Sequence, residues 1–279
     1  MTILTFSILL LIFSYLAGLV GALTGLGGGV VLIPALVLFF HVDIHYAMGA
    51  SLISVMATSS GAALAYLQRG YTNVRIGMFL EVGAVVGALM GAFLVVFVST
   101  SFIAVIFGLV MFLSAYLTGK RKEDSEISKS QAHPWATYLK LNGKYQTAEG
   151  EQPYYVQQVP LALITMVFAG VLSGLLGIGS GALKVLAMDQ FMRLPYKVSA
   201  TTSNFIIGIT AAVSAGVYFS NGYINPIITF PVLIGVLIGA LSGAFVLAKL
   251  HNKKLRLIFS IVVLLLGSEM IYKGLTGHL

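Results

Sequence analysis

There is no cysteine anywhere in these 279 residues. That excludes disulfides, thiolate metal sites and cysteine-based redox or nucleophilic chemistry. Charge is scarce too: Asp, Glu, Lys and Arg make up 9% of the chain, against about 25% in an ordinary soluble domain. The five histidines are dispersed and form no metal-ligand spacing, so neither a metal nor a cofactor is expected. A net charge of +7 would raise nucleic-acid binding in a soluble protein. Here the Lys and Arg residues fall between apolar runs, where membrane orientation accounts for them, and no nucleic-acid partner is expected.

Hydrophobic residues, by contrast, supply 58% of the chain. Residues 3–22, 46–67, 76–98, 101–118, 157–176, 198–219, 227–248 and 257–272 form apolar runs. Each approaches or exceeds the roughly 20 residues that cross hydrocarbon as a helix. The chain therefore reads as an all-α polytopic membrane protein whose first partner is the lipid bilayer. The opening run has no basic flank and no small-x-small exit, so it is expected to belong to the fold rather than to a signal peptide.

The same chain is written twice at a fixed offset, without a gap. Ala17–Gly18 returns as Ala169–Gly170, and Gly25, Gly27 and Gly29 return as Gly177, Gly179 and Gly181. Ser51 returns as Ser203, and Gly83, Gly87 and Gly91 return as Gly235, Gly239 and Gly243. Each copy holds a long run, a glycine break, a short apolar piece (29–40 and 182–192), then three further runs. If the short piece turns back as a hairpin, each half has an odd number of crossings and the copies are inverted. Positive charge favours this arrangement. It puts Arg69, Arg75, the six Lys and Arg of 119–156, Arg193, Lys197, Lys249, Lys253, Lys254 and Arg256 on one side, leaving only Lys273 opposite and Lys184 within the second hairpin. Cytoplasmic loops carry such an excess. The expected organisation is a first repeat (1–118), a cytoplasmic linker (119–156) and a second repeat (157–279), with both termini outside. Each repeat is a glycine-broken hairpin, a long helix plus a short half-helix, followed by three transmembrane helices. The linker is polar, mixed in charge and holds the only Trp, Trp135; it reads as a solvated connection, with a regulatory role as the alternative.

Glycines clustered inside an apolar run uncover N–H and C=O groups that hydrocarbon cannot satisfy, so such backbone must be buried in protein or line a wet cavity. Each break also opens a new helix, whose free N–H groups and positive dipole end favour an anion. Gly27, Gly28 and Gly29, together with Gly179, Ser180 and Gly181, are therefore candidate anion ligands. Packing alone is the competing explanation. Lys184, three residues past Gly181, stands where the first half has Leu32. A cation in an embedded segment is costly and marks a functional candidate; a structural partnership with Asp189 or snorkelling is the alternative. Ser51, Thr202, Ser203 and Asn204 open the helices after the hairpins and could donate hydrogen bonds to an oxyanion, or act as packing glue. Asp189 is the candidate for a coupling proton, with Glu81 and Glu269 weighed beside it. Those two lie near run ends, where exposure is the ordinary expectation. The Gly83/87/91 and Gly235/239/243 ladders read as helix-packing surfaces, and Gly70–Tyr71 and Gly222–Tyr223 as tight turns. Ser180 does not make a serine hydrolase: Ile178 occupies the first glycine position of G-x-S-x-G, and no histidine lies in the second half's runs.

The Ala-Gly-x-x-Gly-x-x-x-Gly-x-Gly-Gly-Gly run at 17–29, its echo at 169–181, the Ser199-Ala-Thr-Thr-Ser203 stretch and the Gly-Tyr turns resemble the sulfite exporter TauE/SafE family. The resemblance spans 5–118 and 160–275. It implies secondary carriage of small anions, notably sulfite and organosulfonates such as sulfoacetate, driven by the proton gradient across a bacterial or archaeal inner membrane. Related thiosulfate carriers use cysteines, so that substrate is not expected here. The expected function is therefore an alternating-access anion carrier and not an enzyme. A passive anion channel is the alternative.

Overall fold

The computed structural model describes residues 3–24, 27–67, 72–119, 133–147, 150–247 and 252–277. The apolar runs form helices in the expected order. The first half contains α1 (Ile3–Thr24), α2 (Gly29–Phe39), α3 (Ile44–Leu67), α4 (Val74–Leu94, extended by a 3-10 turn) and α5 (Thr100–Gly119). The second contains α7 (Val159–Leu176), α8 (Gly181–Leu186, continued by a π turn over Ala187–Phe191), α9 (Tyr196–Ser220), α10 (Pro226–Leu247) and α11 (Asn252–Thr276). Among the described residues, five helices are long and apolar enough to cross a membrane. Their outward faces are apolar as well. Val82, Val86, Met90 and Phe93 form an exposed apolar stripe along α4, and Ile227, Phe230, Ile234, Ile238 and Leu241 form another along α10. A surface of that kind fits hydrocarbon, not water. This is a multi-pass membrane protein.

At each break the chain doubles back. A Cβ on Gly28 would touch the carbonyl of Ala17, and Phe40 beyond α2 packs edge-on against Phe6 near the start of α1. In the second half Ser180 Oγ donates to Ala169 O at 2.6 Å, and Gln157 N donates to Met192 O. Gly28 and Gly179 both have φ of 70°, a left-handed conformation that glycine adopts at little cost.

Packing obeys an exchange of halves. The pair α1·α10 mirrors α7·α4, α3·α10 mirrors α9·α4, and α3·α9 and α5·α11 pair with their own counterparts. The glycine ladders set the directions. Gly235, Gly239 and Gly243 meet Leu11, Tyr15 and Leu19 in turn, so α1 and α10 run parallel. Gly83, Gly87 and Gly91 likewise climb α7 past Leu163, Val167 and Val171. A Cβ on Gly87 or Gly91 would collide with the carbonyl oxygen of Val167 or Val171, which is why these positions are small. The self-pairs run the other way. Gly49 meets Tyr223 while Ser59 meets Gly208, and Gly108 meets Gly267 while Gly274 meets Ser101.

The linker departs from a solvated connection and, locally, from an all-α fold. Its described part folds into α6 (Pro134–Tyr138) and an antiparallel hairpin, β1 (Gly143–Thr147) with β2 (Gly150–Tyr154), in register Tyr145 to Gln152. Ala136, Leu141, Tyr154 and Val156 are buried in one cluster with Ile76, Leu80, Met188 and Val198. Asn73 is the fastener. Its Oδ1 caps α4 at Ile76 N, while its Nδ2 donates to Leu141 O at 3.2 Å and to Tyr154 Oη at 2.6 Å. The linker was too polar overall to show a core, but these few apolar residues suffice to dock it. Gly222 forms the expected turn at φ 75°; Gly70–Tyr71 lies outside the described residues.

Candidate functional site

The two breaks meet. A Cβ on Gly29 would lie 3.4 Å from Ile178 Cα. Cβ positions on Gly27 and Gly179 both face the side chains of Val55 and Ile207, at 2.8 to 3.5 Å. Val55 and Ile207 are counterparts in the repeat, and both are fully buried. They fill the space between the breaks with an apolar pair, one from α3 and one from α9.

Carbonyls uncovered by the breaks find hydroxyls. Ser51 Oγ donates to Gly177 O at 2.8 Å, crossing from one half to the other. Ser203 Oγ donates to Gly181 O at 3.3 Å within its own half. Thr58 Oγ1 reaches Gly27 O at 3.4 Å besides its closer bond of 2.5 Å to Ser54 O. Tyr218, also buried, donates to Gly174 O at 3.0 Å in the last turn of α7. Ser51 and Ser203 were expected as anion donors. Each hydroxyl has one hydrogen, and in this conformation both hydrogens satisfy the backbone first.

The other predicted residues occupy varied surroundings. Thr202 Oγ1 accepts the Asn73 N–H at 3.0 Å, tying α9 to the start of α4. Asn204 is 6% exposed; Ser59 Oγ donates to its carbonyl, and its side-chain amide forms no hydrogen bond to another described residue. Asp189 sits half-buried on the π turn, where Gln190 Nε2 donates to it at 3.2 Å.

Lys184 has no exposed surface. It sits in the first turn of α8, where a cation opposes the positive end of the helix dipole. Its partner is neither Asp189 nor solvent. Nζ lies 3.1 Å from Glu81 Oε2 of α4 and also donates to Thr210 Oγ1 of α9. Thr210 in turn donates to Glu81 Oε1. The three side chains close a ring across three helices. Glu81 was expected near a run end and exposed; it is 2% exposed. Packing of α4 against α7 and α9 carries it inward. Charge pairs in such surroundings add little net stability, but stripping one partner costs about 3–5 kcal/mol. A signal was present in the sequence: Glu81 and Lys184 both break the repeat, standing opposite Leu233 and Leu32. Two opposite charges that each lack a counterpart in the other half are obliged to find one another in an apolar interior.

The family profile described as Sulfite exporter TauE/SafE matches residues 10–270. A probable membrane transporter protein of Bacillus subtilis, YunE, is 29% identical over 275 residues, covering 96% of this chain and 98% of its own. A second from that organism, YdhB, is 29% identical over 249 residues, covering 88% and 90%. A probable membrane transporter protein of Methanocaldococcus jannaschii, MJ0441, is 23% identical over 280 residues, covering 94% of each. No solved structure matches the chain. With nearly all of its length inside the profile, this chain belongs to the sulfite exporter TauE/SafE family of membrane transporters.

Proposed function

We propose that this protein is a proton-coupled secondary carrier of small sulfur-containing oxyanions, sulfite or organosulfonates such as sulfoacetate, working by alternating access in the cell's inner membrane. One observation carries the reading: two glycine breaks lie side by side next to a fully buried lysine. The anion is held by the break backbone of Gly27, Gly28 and Gly29 and of Gly179, Ser180 and Gly181. Lys184 supplies the charge, and Ser51, Thr202, Ser203 and Asn204 the neutral donors. Among these, the Asn204 amide is the most available, while Ser51 and Ser203 must release Gly177 O and Gly181 O. Asp189, half-buried at the exit of the second hairpin, is the candidate to pass the coupling proton between solvent and the site.

The two halves act as inverted repeats, with both termini outside and 119–156 in the cytoplasm. Support comes from direction: α3 and α9 exchange under the repeat yet run antiparallel, as do α5 and α11. Only a twofold axis lying across the helices relates such pairs, and repeats of that kind rock about a central site. The test is flux of sulfite and sulfoacetate into proteoliposomes under an imposed pH gradient. Saturable flux that follows the gradient is expected. Flux that neither saturates nor responds to pH would mean a passive channel. Reporter fusions at both termini and within the linker test the orientation; a terminus found in the cytoplasm overturns it.

A further inference from the structure

We propose that Glu81 and the transported anion are alternative partners for Lys184: the carboxylate holds the ammonium when the site is empty, and gives it up, protonated, when the anion arrives. This rests on the carrier reading above and names the group that couples proton to anion.

Position comes first. Lys184 is anchored through its backbone N–H to Ser180 O, inside the second break itself. Its ammonium therefore lies within a side chain's reach of the break where an oxyanion would bind. Glu81 reaches the same ammonium from α4. One buried cation cannot serve two anions, since a surplus negative charge in that interior is strongly disfavoured. Either the anion stays out or the carboxylate becomes neutral. Taking up one proton from solution turns Glu81 from carboxylate to carboxylic acid, and one anionic group of the ligand replaces it on Lys184, so the ammonium faces one negative group before and after.

Thr210 makes the exchange possible. A hydroxyl both donates and accepts and can rotate. It donates to Glu81 now, and can accept the acid's O–H once the proton is in place, leaving no orphaned group. The first half shows what happens without the charges. Thr58, the counterpart of Thr210, donates to Ser54 O and Gly27 O, backbone groups of its own half. With Leu32 and Leu233 in place of the lysine and glutamate, that half has no corresponding ion pair, so the exchange takes one proton per anion.

Among the described residues, the other titratable groups on the helices around Glu81 are exposed or engaged elsewhere. Within α4, Arg75 lies exposed near the start. The neighbouring α7 carries no titratable residue. On α9, Lys197 is exposed near its start and Tyr218 is engaged with Gly174 O near the far end. Along α8 and its π turn, Asp189 is held by Gln190. On α5, which packs on α8, Tyr116 is exposed.

The experiment measures proton uptake by the purified wild-type protein in weakly buffered detergent as sulfoacetate is added near neutral pH. Roughly one proton should enter per bound anion, and affinity should strengthen about tenfold for each unit the pH falls, the signature of one linked proton. Glu81→Gln, locked in the neutral shape, should bind sulfoacetate with no pH dependence and exchange it across proteoliposomes. It should not concentrate the anion when a pH gradient is applied. Binding by the wild type without proton uptake overturns the proposal while leaving the carrier reading intact. So does gradient-driven accumulation by Glu81→Gln. Absence of any sulfite or sulfoacetate binding by the wild type removes the carrier reading, and this proposal with it.

Discussion

The two glycine breaks are built on one plan and finished differently. Both turn the chain back on itself, both lean on Val55 and Ile207, and both have bare carbonyls covered by hydroxyls of α3 or α9. Around the first, the repeat positions are Leu32, Leu233 and Thr58; around the second they are Lys184, Glu81 and Thr210. The symmetric parts are those a membrane fold must have, because hydrocarbon tolerates no unsatisfied backbone. The asymmetric part is the one the fold could do without. A buried ion pair rarely stabilises more than apolar residues of like size, so its presence on one side only points to work rather than architecture.

The strongest way to break that comparison is to make the second side like the first. Lys184→Leu alone leaves the Glu81 carboxylate buried without its cation, and should lower stability by about 3–5 kcal/mol. Adding Glu81→Leu should restore stability to near the wild-type level, while anion flux stays absent. Thermal unfolding in detergent and proteoliposome flux read the two effects separately. A double variant as unstable as the single would make the ring structural after all, and one that still carries anion would dismiss Lys184 from the site.

A second experiment sharpens the symmetric side. Gly87→Val drives a side chain into the Val167 carbonyl, and Gly239→Val drives one into that of Tyr15. Overpacking of this kind costs about 1–3 kcal/mol. Equal losses are expected in the two halves, measured by unfolding temperature. One tolerated and one ruinous substitution would mean that the halves do not share their packing.

These contrasts mark what the sequence could and could not disclose. Length and hydropathy placed the helices, because a span in lipid needs little beyond about 20 apolar residues. The fixed offset of Gly27 and Gly179 placed the breaks, and the Gly87 and Gly239 ladders named the close helix pairs. Pairing between Glu81 and Lys184 was signalled only by their lack of repeat counterparts; the contact itself forms because α4 and α8 both pack on α9. Docking of the linker through Asn73 and Tyr154 was hidden by composition, since a handful of buried residues hardly alters the average of a polar segment. Ser51 and Ser203, expected as anion donors, lie buried beside the breaks. Their preference for backbone carbonyls over an open site depends on hydroxyl geometry that no spacing encodes.

Those two serines allow a finer comparison. Ser51 bridges the halves to Gly177 O at 2.8 Å, whereas Ser203 reaches Gly181 O in its own half at 3.3 Å. Leaving a buried carbonyl without its donor costs about 1–3 kcal/mol. Ser51→Ala should lie in that range and Ser203→Ala below it. If both serves as anion ligands, each substitution should also weaken sulfoacetate affinity, and Ser203→Ala should do so with the smaller loss of stability. Wild-type affinity in both would take the serines out of the binding site.

The smallest effect is expected where the linker meets the membrane domain. Burial holds the Tyr154 phenol above its ordinary value of 10.0, and the hydrogen bond from Asn73 only partly opposes this. An acid whose pKa rises on folding stabilises the docked state fully below its unfolded value, and loses that contribution as pH climbs from there through the raised folded value. The hairpin should therefore stay docked near neutral pH and loosen above about pH 10, where the unfolded segment gives up its proton more readily than the folded one. Tyr154→Phe removes the hydrogen bond and the titration together. It should cost about 0.5–1.5 kcal/mol of local stability and abolish the alkaline transition, read by hydrogen exchange of β1 and β2. An alkaline opening that survives in Tyr154→Phe would place the latch elsewhere, and loss of anion flux in that variant would join the linker to the transport cycle.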